Sequence, residues 1–161
     1  MYVIDANVFI DAKNRHYGLD FAPGFWDWLV EQNNDGSLCS IADVKKELDA
    51  GKDELSKWAT TNSGLFVALD PPVQASMQTL STWANSGTFT GAAVNTFLAG
   101  ADYPLVAFAH AHSHTVVTHE RSQPNAKKRI LIPDACTAIG VNCVDPFTML
   151  RSEGAKFVCA N

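Results

Sequence analysis

The sequence predicts an α/β domain built on a central parallel sheet of about five strands with helices on both faces. Three observations carry that reading. Short apolar runs alternate with helix-period segments from one end of the chain to the other, the pattern of repeated βα units rather than of hairpins. The first apolar run, Met1 to Ile4, stops abruptly on Asp5, and the C-terminal tip of a strand is where open α/β sheets bind ligands. A chain of 161 residues with 47% hydrophobic content is long and apolar enough for one three-layer domain spanning 1–161 with a sizeable core.

Taken in order, Val8, Phe9 and Ala12 follow Asp5 at helical spacing and end near Lys13-Asn14-Arg15. Asp5 or Asn7 is placed to cap this helix. Beyond Gly18 and Pro23-Gly24, the run Phe25 to Val30 predicts a second helix, stopped at Asn33-Asn34-Asp35-Gly36, with Trp26 and Trp28 assigned to the core. Ser37 to Ser40 reads as a strand, and Ser40-Ile41-Ala42-Asp43 matches a capping box for a helix through Leu48. Ile41, Val44 and Leu48 form its buried stripe. Glu47 lies about 60° from Val44 on the flank of that stripe, at a cleft edge.

A helical segment near Glu54 to Thr60 precedes a third strand at Leu65 to Leu69. Asp70-Pro71-Pro72 has the cap-plus-proline signature of a helix start, and Val73, Met77, Leu80 and Ala84 supply the apolar row behind it. Val94, Phe97 and Leu98 make a short helix closed by Gly100. Asp102 then opens a helix whose buried row is Leu105, Phe108, Ala109 and His112, and an acid at that position is favoured by the helix dipole. Thr115 to Thr118 is a fourth strand, followed by His119-Glu120. The polar segment 121–133 carries Lys127-Lys128-Arg129, and Asp134 is placed to cap a helix through Ile139. A fifth strand at Val141 to Val144 leads to Asp145-Pro146, which starts the last helix.

Composition excludes several classes. No run reaches the roughly 18 apolar residues of a membrane span, and no basic flank precedes the first hydrophobic stretch, so a cytoplasmic protein without anchor or signal peptide is expected. Cys39, Cys136, Cys143 and Cys159 form no CxxC pair; they read as reduced thiols, with Cys159 open to exposure. The net charge of -5 argues against a nucleic-acid partner, because phosphate binding relies on Lys and Arg. Acids that converge on a metal ion reverse that argument locally.

Convergence is what the pattern predicts. Asp5 and Glu120 each follow a strand's C-terminal end, Asp102 opens the helix leading into the second of those strands, and Glu47 borders the same edge. If strands one and four are neighbours, these acids meet at one crevice. Crowded carboxylates resist ionisation unless a cation offsets their repulsion. Oxygen donors suit Mg2+ or Mn2+ in octahedral geometry. Such an ion activates water and neutralises charge developing on a phosphate. Neither a phosphate-binding glycine loop nor a serine nucleophile elbow is present. His110, His112, His114 and His119 are read as helix and core residues rather than a second metal tract.

The residues Val3-Ile4-Asp5-Ala6-Asn7-Val8-Phe9-Ile10-Asp11, the helix Val44-Lys45-Lys46-Glu47-Leu48, Asp102 with its apolar helix, and Val116-Val117-Thr118-His119-Glu120 together resemble the PIN domains, small metal-dependent ribonucleases that include VapC-type toxins. The resemblance runs along essentially the whole chain. It implies that Asp5, Glu47, Asp102 and Glu120 are the metal-site and catalytic acids, with Asn7 and Thr118 supporting them. Glu120 stands where the family often has aspartate, and the 121–133 loop is long, so Asp134 is a candidate to share the fourth position. RNA is the implied substrate, with Lys127, Lys128 and Arg129 as phosphate-binding candidates. A small antitoxin protein and a second copy of the chain are the expected partners. The alternative is a PIN-like binding module with vestigial catalysis, suggested by the net acidity and the tryptophan-rich second helix.

Overall fold

The computed structural model describes residues 1–157; Cys159 lies outside them. Five strands form one wholly parallel sheet: β1 (Tyr2–Ile4), β2 (Leu38–Ile41), β3 (Phe66–Val67), β4 (Thr115–Val117) and β5 (Cys143–Val144), in the order β3-β2-β1-β4-β5. β1 is therefore central, and the chain builds outward first on one side and then on the other. β1 and β4 are direct neighbours, with Tyr2, Val3 and Ile4 opposite Thr115, Val116 and Val117. Their C-terminal tips flank the point where strand order reverses, the place where a parallel sheet opens a crevice.

Nine α-helices flank the sheet among the described residues: α1 (Ala6–Asp11), α2 (Pro23–Asn34), α3 (Ala42–Ala50), α4 (Glu54–Thr61), α5 (Val73–Ala84), α6 (Gly91–Ala99), α7 (Asp102–Ala111), α8 (Ile132–Ile139) and α9 (Pro146–Ser152). None is long and apolar enough to cross a membrane. Val3, Ile4, Val116 and Val117 are fully buried, as strands covered on both faces must be. Leu105, Val106, Ala107 and Ala109 are buried around the whole of α7. The heavy aromatic load of α2 is structural: Trp26 is 2% exposed, donates its indole N–H to the Tyr17 carbonyl at 2.6 Å, and meets Trp58 edge to face. Trp28 is only partly buried against the core. Gly140 ends α8 in the left-handed region at φ 76°, which its missing Cβ permits.

Local signals were less dependable than the strand and helix pattern. The Ser40 capping box does not form, because β2 runs on to Ile41. Ser40 instead donates its hydroxyl to the Ile4 carbonyl at 2.6 Å, tying two strand ends together. Asp70 does not cap α5, which starts at Val73; its carboxylate faces His112 at 3.0 Å. His112 accordingly sits half-exposed at the end of α7 rather than on the buried row. His110 meets the Ser76 hydroxyl at 2.8 Å. The third and fifth strands are shorter than the apolar runs suggested, since a 3-10 turn takes Ser63–Leu65 and pairing at the sheet edges covers only two residues each. Asp145 does cap α9, accepting from the Phe147 and Thr148 amides. Cys39 and Cys136 are buried free thiols, and Cys143 is a half-buried one.

Candidate active site

The site is built where β1 and β4 end. Asp5 occupies the N-cap position of α1 without capping it. The Asp5 amide donates to the Val117 carbonyl at 3.0 Å, which holds the residue in the sheet while its side chain, 4% exposed, is sealed beneath the cleft. Thr118, 1% exposed, donates its hydroxyl to Asp5 Oδ2 at 2.8 Å. The same hydroxyl oxygen accepts from Asn7 Nδ2 at 3.0 Å and from the Glu120 amide at 3.1 Å. Asn7 Oδ1 accepts from the His119 amide at 3.1 Å. Asn7 thus braces the end of β4 instead of capping α1. These bonds fix the acid and the turn after β4 as one unit.

Thr118→Val keeps the side-chain shape and removes the donor to Asp5 and the acceptor used by Asn7 and Glu120. Stranding buried polar groups costs about 1–3 kcal/mol. Urea unfolding should show a loss of about 2 kcal/mol for Thr118→Val, and Thr118→Ser should recover most of it.

The neighbouring acids respond to one another. Burial pushes the Asp5 carboxyl up to about 7, with the charge of Asp102 adding to the rise, the Thr118 hydroxyl opposing it, and Glu120 raising it further. Burial likewise raises Asp102 to about 6, reinforced by Glu120 and Glu47 and opposed by Arg129. Asp102 is the first residue of α7, whose N-cap is Ala101. Glu47 is exposed on α3 and acts on Asp102 from the cleft edge. Asp5 is thus within electrostatic reach of Asp102 and Glu120, and Asp102 within reach of Glu120 and Glu47.

Their environments differ. Glu120 is already held, its Oε2 accepting from the Ile132 amide at 2.8 Å and its Oε1 from Arg129 Nη2 at 2.5 Å. Asp134 is not among the charges that act on Asp5 or Asp102. Its carboxylate accepts from the Ser122 hydroxyl and, at 3.0 Å, from the Gln123 amide, closing the base of the loop rather than capping α8. Lys128 and Arg129 line a cleft of about 310 Å³ beside Asp102, whose other wall is Ala93, Thr96, Phe97 and Ile130. Lys127 contributes its backbone, the carbonyl accepting from the Thr90 amide at 2.9 Å. The α6 wall was not legible in the sequence, where Phe97 read only as part of an apolar helix row with Val94 and Leu98.

Among the described residues no three His, Cys, Asp or Glu side chains are gathered tightly enough to chelate a cation as they stand. The donor chemistry nonetheless fits a hard divalent ion. Asp5 is a buried and Asp102 a half-buried carboxylate, the charge of Asp102 opposes ionisation of Asp5, and oxygen donors of that kind suit Mg2+ or Mn2+. The positive charge now beside them comes from Arg129.

The family model described as a domain of unknown function, DUF4411, matches residues 2–157. No curated protein matches the sequence. Among solved structures, the crystal structure of FitAcB from Neisseria gonorrhoeae is similar, with a TM-score of 0.55 and 19% sequence identity over 91% of this chain and 99% of that one. A likeness at that identity is one of fold.

Proposed function

The chain belongs to the DUF4411 family and has a PIN-like α/β fold, and from this premise we propose that it is a Mg2+- or Mn2+-dependent endoribonuclease. The observation that carries the reading is the pair of neighbouring carboxylates at the switch point of the sheet, Asp5 buried and Asp102 half-buried, both raised by desolvation and by nearby acids. Burying acids that oppose each other's ionisation costs stability. A cleft that gathers charged reactants gives the cost a use.

In this reading Asp5, Glu47, Asp102 and Glu120 hold the metal. When bound, the cation supplies an activated water and offsets the charge that develops on the scissile phosphate. Thr118 holds the Asp5 carboxylate through its hydroxyl, Asn7 braces Thr118, and Ile132 orients Glu120 through its amide. Lys128 and Arg129 bind phosphate groups of the RNA. Asp134 serves the loop and is the weaker candidate for the fourth ligand position, since both its oxygens are engaged by Ser122 and Gln123. A purified preparation should cleave single-stranded RNA internally when Mg2+ or Mn2+ is added and stop when EDTA is added; absence of any metal-dependent cleavage across varied RNAs overturns the proposal.

Arg129 competes with the cation for Glu120. Arg129→Gln should raise Mn2+ affinity about tenfold in a calorimetric titration, because a positive charge that pairs with Glu120 and acts on Asp102 would no longer oppose a cation held by those acids. Unchanged affinity would detach Arg129 from the metal site.

We extend the proposal to a toxin neutralised by a small antitoxin, the partner expected of VapC-type proteins; co-purification with the product of an adjacent small gene is its test. A binding module with vestigial chemistry is the weaker reading, because docking alone gives no role to two neighbouring acids whose ionisation is opposed.

A further inference from the structure

One feature beside the acids takes no part in the site described above. His16, His119 and Phe147 come from three separate elements and meet in a ring cluster: His16 and His119 centroids are 5.7 Å apart, His16 and Phe147 5.5 Å, and His119 and Phe147 5.9 Å. His16 ends a π-helical turn, Ala12–His16, that continues α1, and Tyr17 closes it by donating its amide to the Ala12 carbonyl at 2.6 Å. Such turns are rare and concentrate at functional sites. Phe147 sits in the first turn of α9, where the Asp145 cap accepts from its amide, and remains 36% exposed.

The cluster and the acids share the turn after β4. His119 lies between Thr118, which holds Asp5, and Glu120. The charges acting on its ring are those of Asp11, His16, Asp145 and Arg15, whereas those around Asp102 are Glu120, Glu47 and Arg129. The turn after β4 therefore presents the imidazole to one flank and the acids to the other. Arg15, with a side chain 71% exposed, adds a positive group beside the rings.

We propose that His16, His119 and Phe147 form a stacking shelf that takes an unpaired base of single-stranded RNA next to the scissile position; the proposal rests on the ribonuclease reading and deepens it. Flat aromatic and imidazole faces accept nucleobases without regard to sequence, and single strands present bases free to stack. Arg15, paired with Asp11 at 3.5 Å, supplies a cation beside the rings for the adjoining phosphate. The shelf offers rings in place of the aliphatic groove that a protein helix would seek.

The test is fluorescence anisotropy of a short labelled oligouridylate with the full chain in Ca2+, alongside Mn2+-dependent cleavage of the same RNA. Phe147→Ala and His16→Ala should each weaken binding about tenfold, the scale of losing one stacked base. Phe147→Tyr, which keeps the ring, should bind within twofold of wild type, and a duplex RNA should be insensitive to Phe147→Ala. Wild-type affinity in both Ala variants, equal losses for duplex and single strand, or no measurable binding by the wild-type chain overturns the shelf. Cleavage that persists unaltered with Phe147→Ala removes the shelf and leaves the nuclease reading intact. Shelf-dependent binding without any metal-dependent cleavage removes the nuclease chemistry and leaves an RNA-binding shelf.

Discussion

Asp5→Asn should lower metal-dependent RNA cleavage by about two to three orders of magnitude, the scale of losing one preorganised electrostatic group, while making the metal-free protein more stable at pH 8. The two effects have a common origin. Asp5 is buried and pushed up to about 7, so at pH 8 the fold must hold an ionised carboxylate that water would solvate better. Asparagine keeps an oxygen for the Thr118 hydroxyl and removes the charge. Cleavage measured in Mg2+ and thermal unfolding measured in EDTA check both halves. A merely architectural Asp5 would lose stability on substitution, with activity following only through unfolding. Retention of Mg2+-dependent cleavage by Asp5→Asn would sink the proposed chemistry.

The second large effect is on pH. Asp5 and Asp102 are raised from ordinary carboxylate values to about 7 and about 6, so the folded protein binds more protons than the unfolded chain across that interval. The stabilisation is complete below the unfolded value near pH 4 and is lost as pH rises through 6 and 7. For Asp5 alone the difference is on the order of 4 kcal/mol between pH 4 and pH 8, at about 1.4 kcal/mol per tenfold change. Asp53 and Asp145 act in the opposite sense. Lys13 lowers Asp53 and the Thr148 hydroxyl lowers Asp145, so their contribution fades only as pH falls below about 4. Urea midpoints in EDTA should therefore decline from pH 5 to pH 8 in the wild-type chain, and less steeply in Asp5→Asn. Saturating Mg2+ should flatten the decline, since a cation that binds the ionised form favours it increasingly as protons leave. A pH-independent midpoint in EDTA would show that the two acids are not raised.

The sequence by itself determined the architecture and where a candidate site would lie on it. Alternating strand and helix periods require a parallel sheet, because only crossover helices can return the chain to the same edge. The run ending at Asp5, the helix opened by Asp102 and the strand before Glu120 placed three acids by element order alone. Glu47 followed from helical phase. Only the tertiary structure decided the pairing of β1 with β4, and with it whether those acids share a space. It also decided the fate of every short polar signal. Ser40, Asp70, Asn7 and Asp134 carry helix-capping chemistry in the sequence, yet each spends its side chain on a partner at least eleven residues away. Capping offers about 1 kcal/mol, and a longer-range bond that satisfies a buried group or closes a loop competes on equal terms. The acid at β1's tip is thus written locally. What gives it a raised carboxyl, a threonine brace, an arginine across the cleft and a ring cluster beside it is the reversal of strand order at the centre of the sheet, which no local stretch of the chain contains.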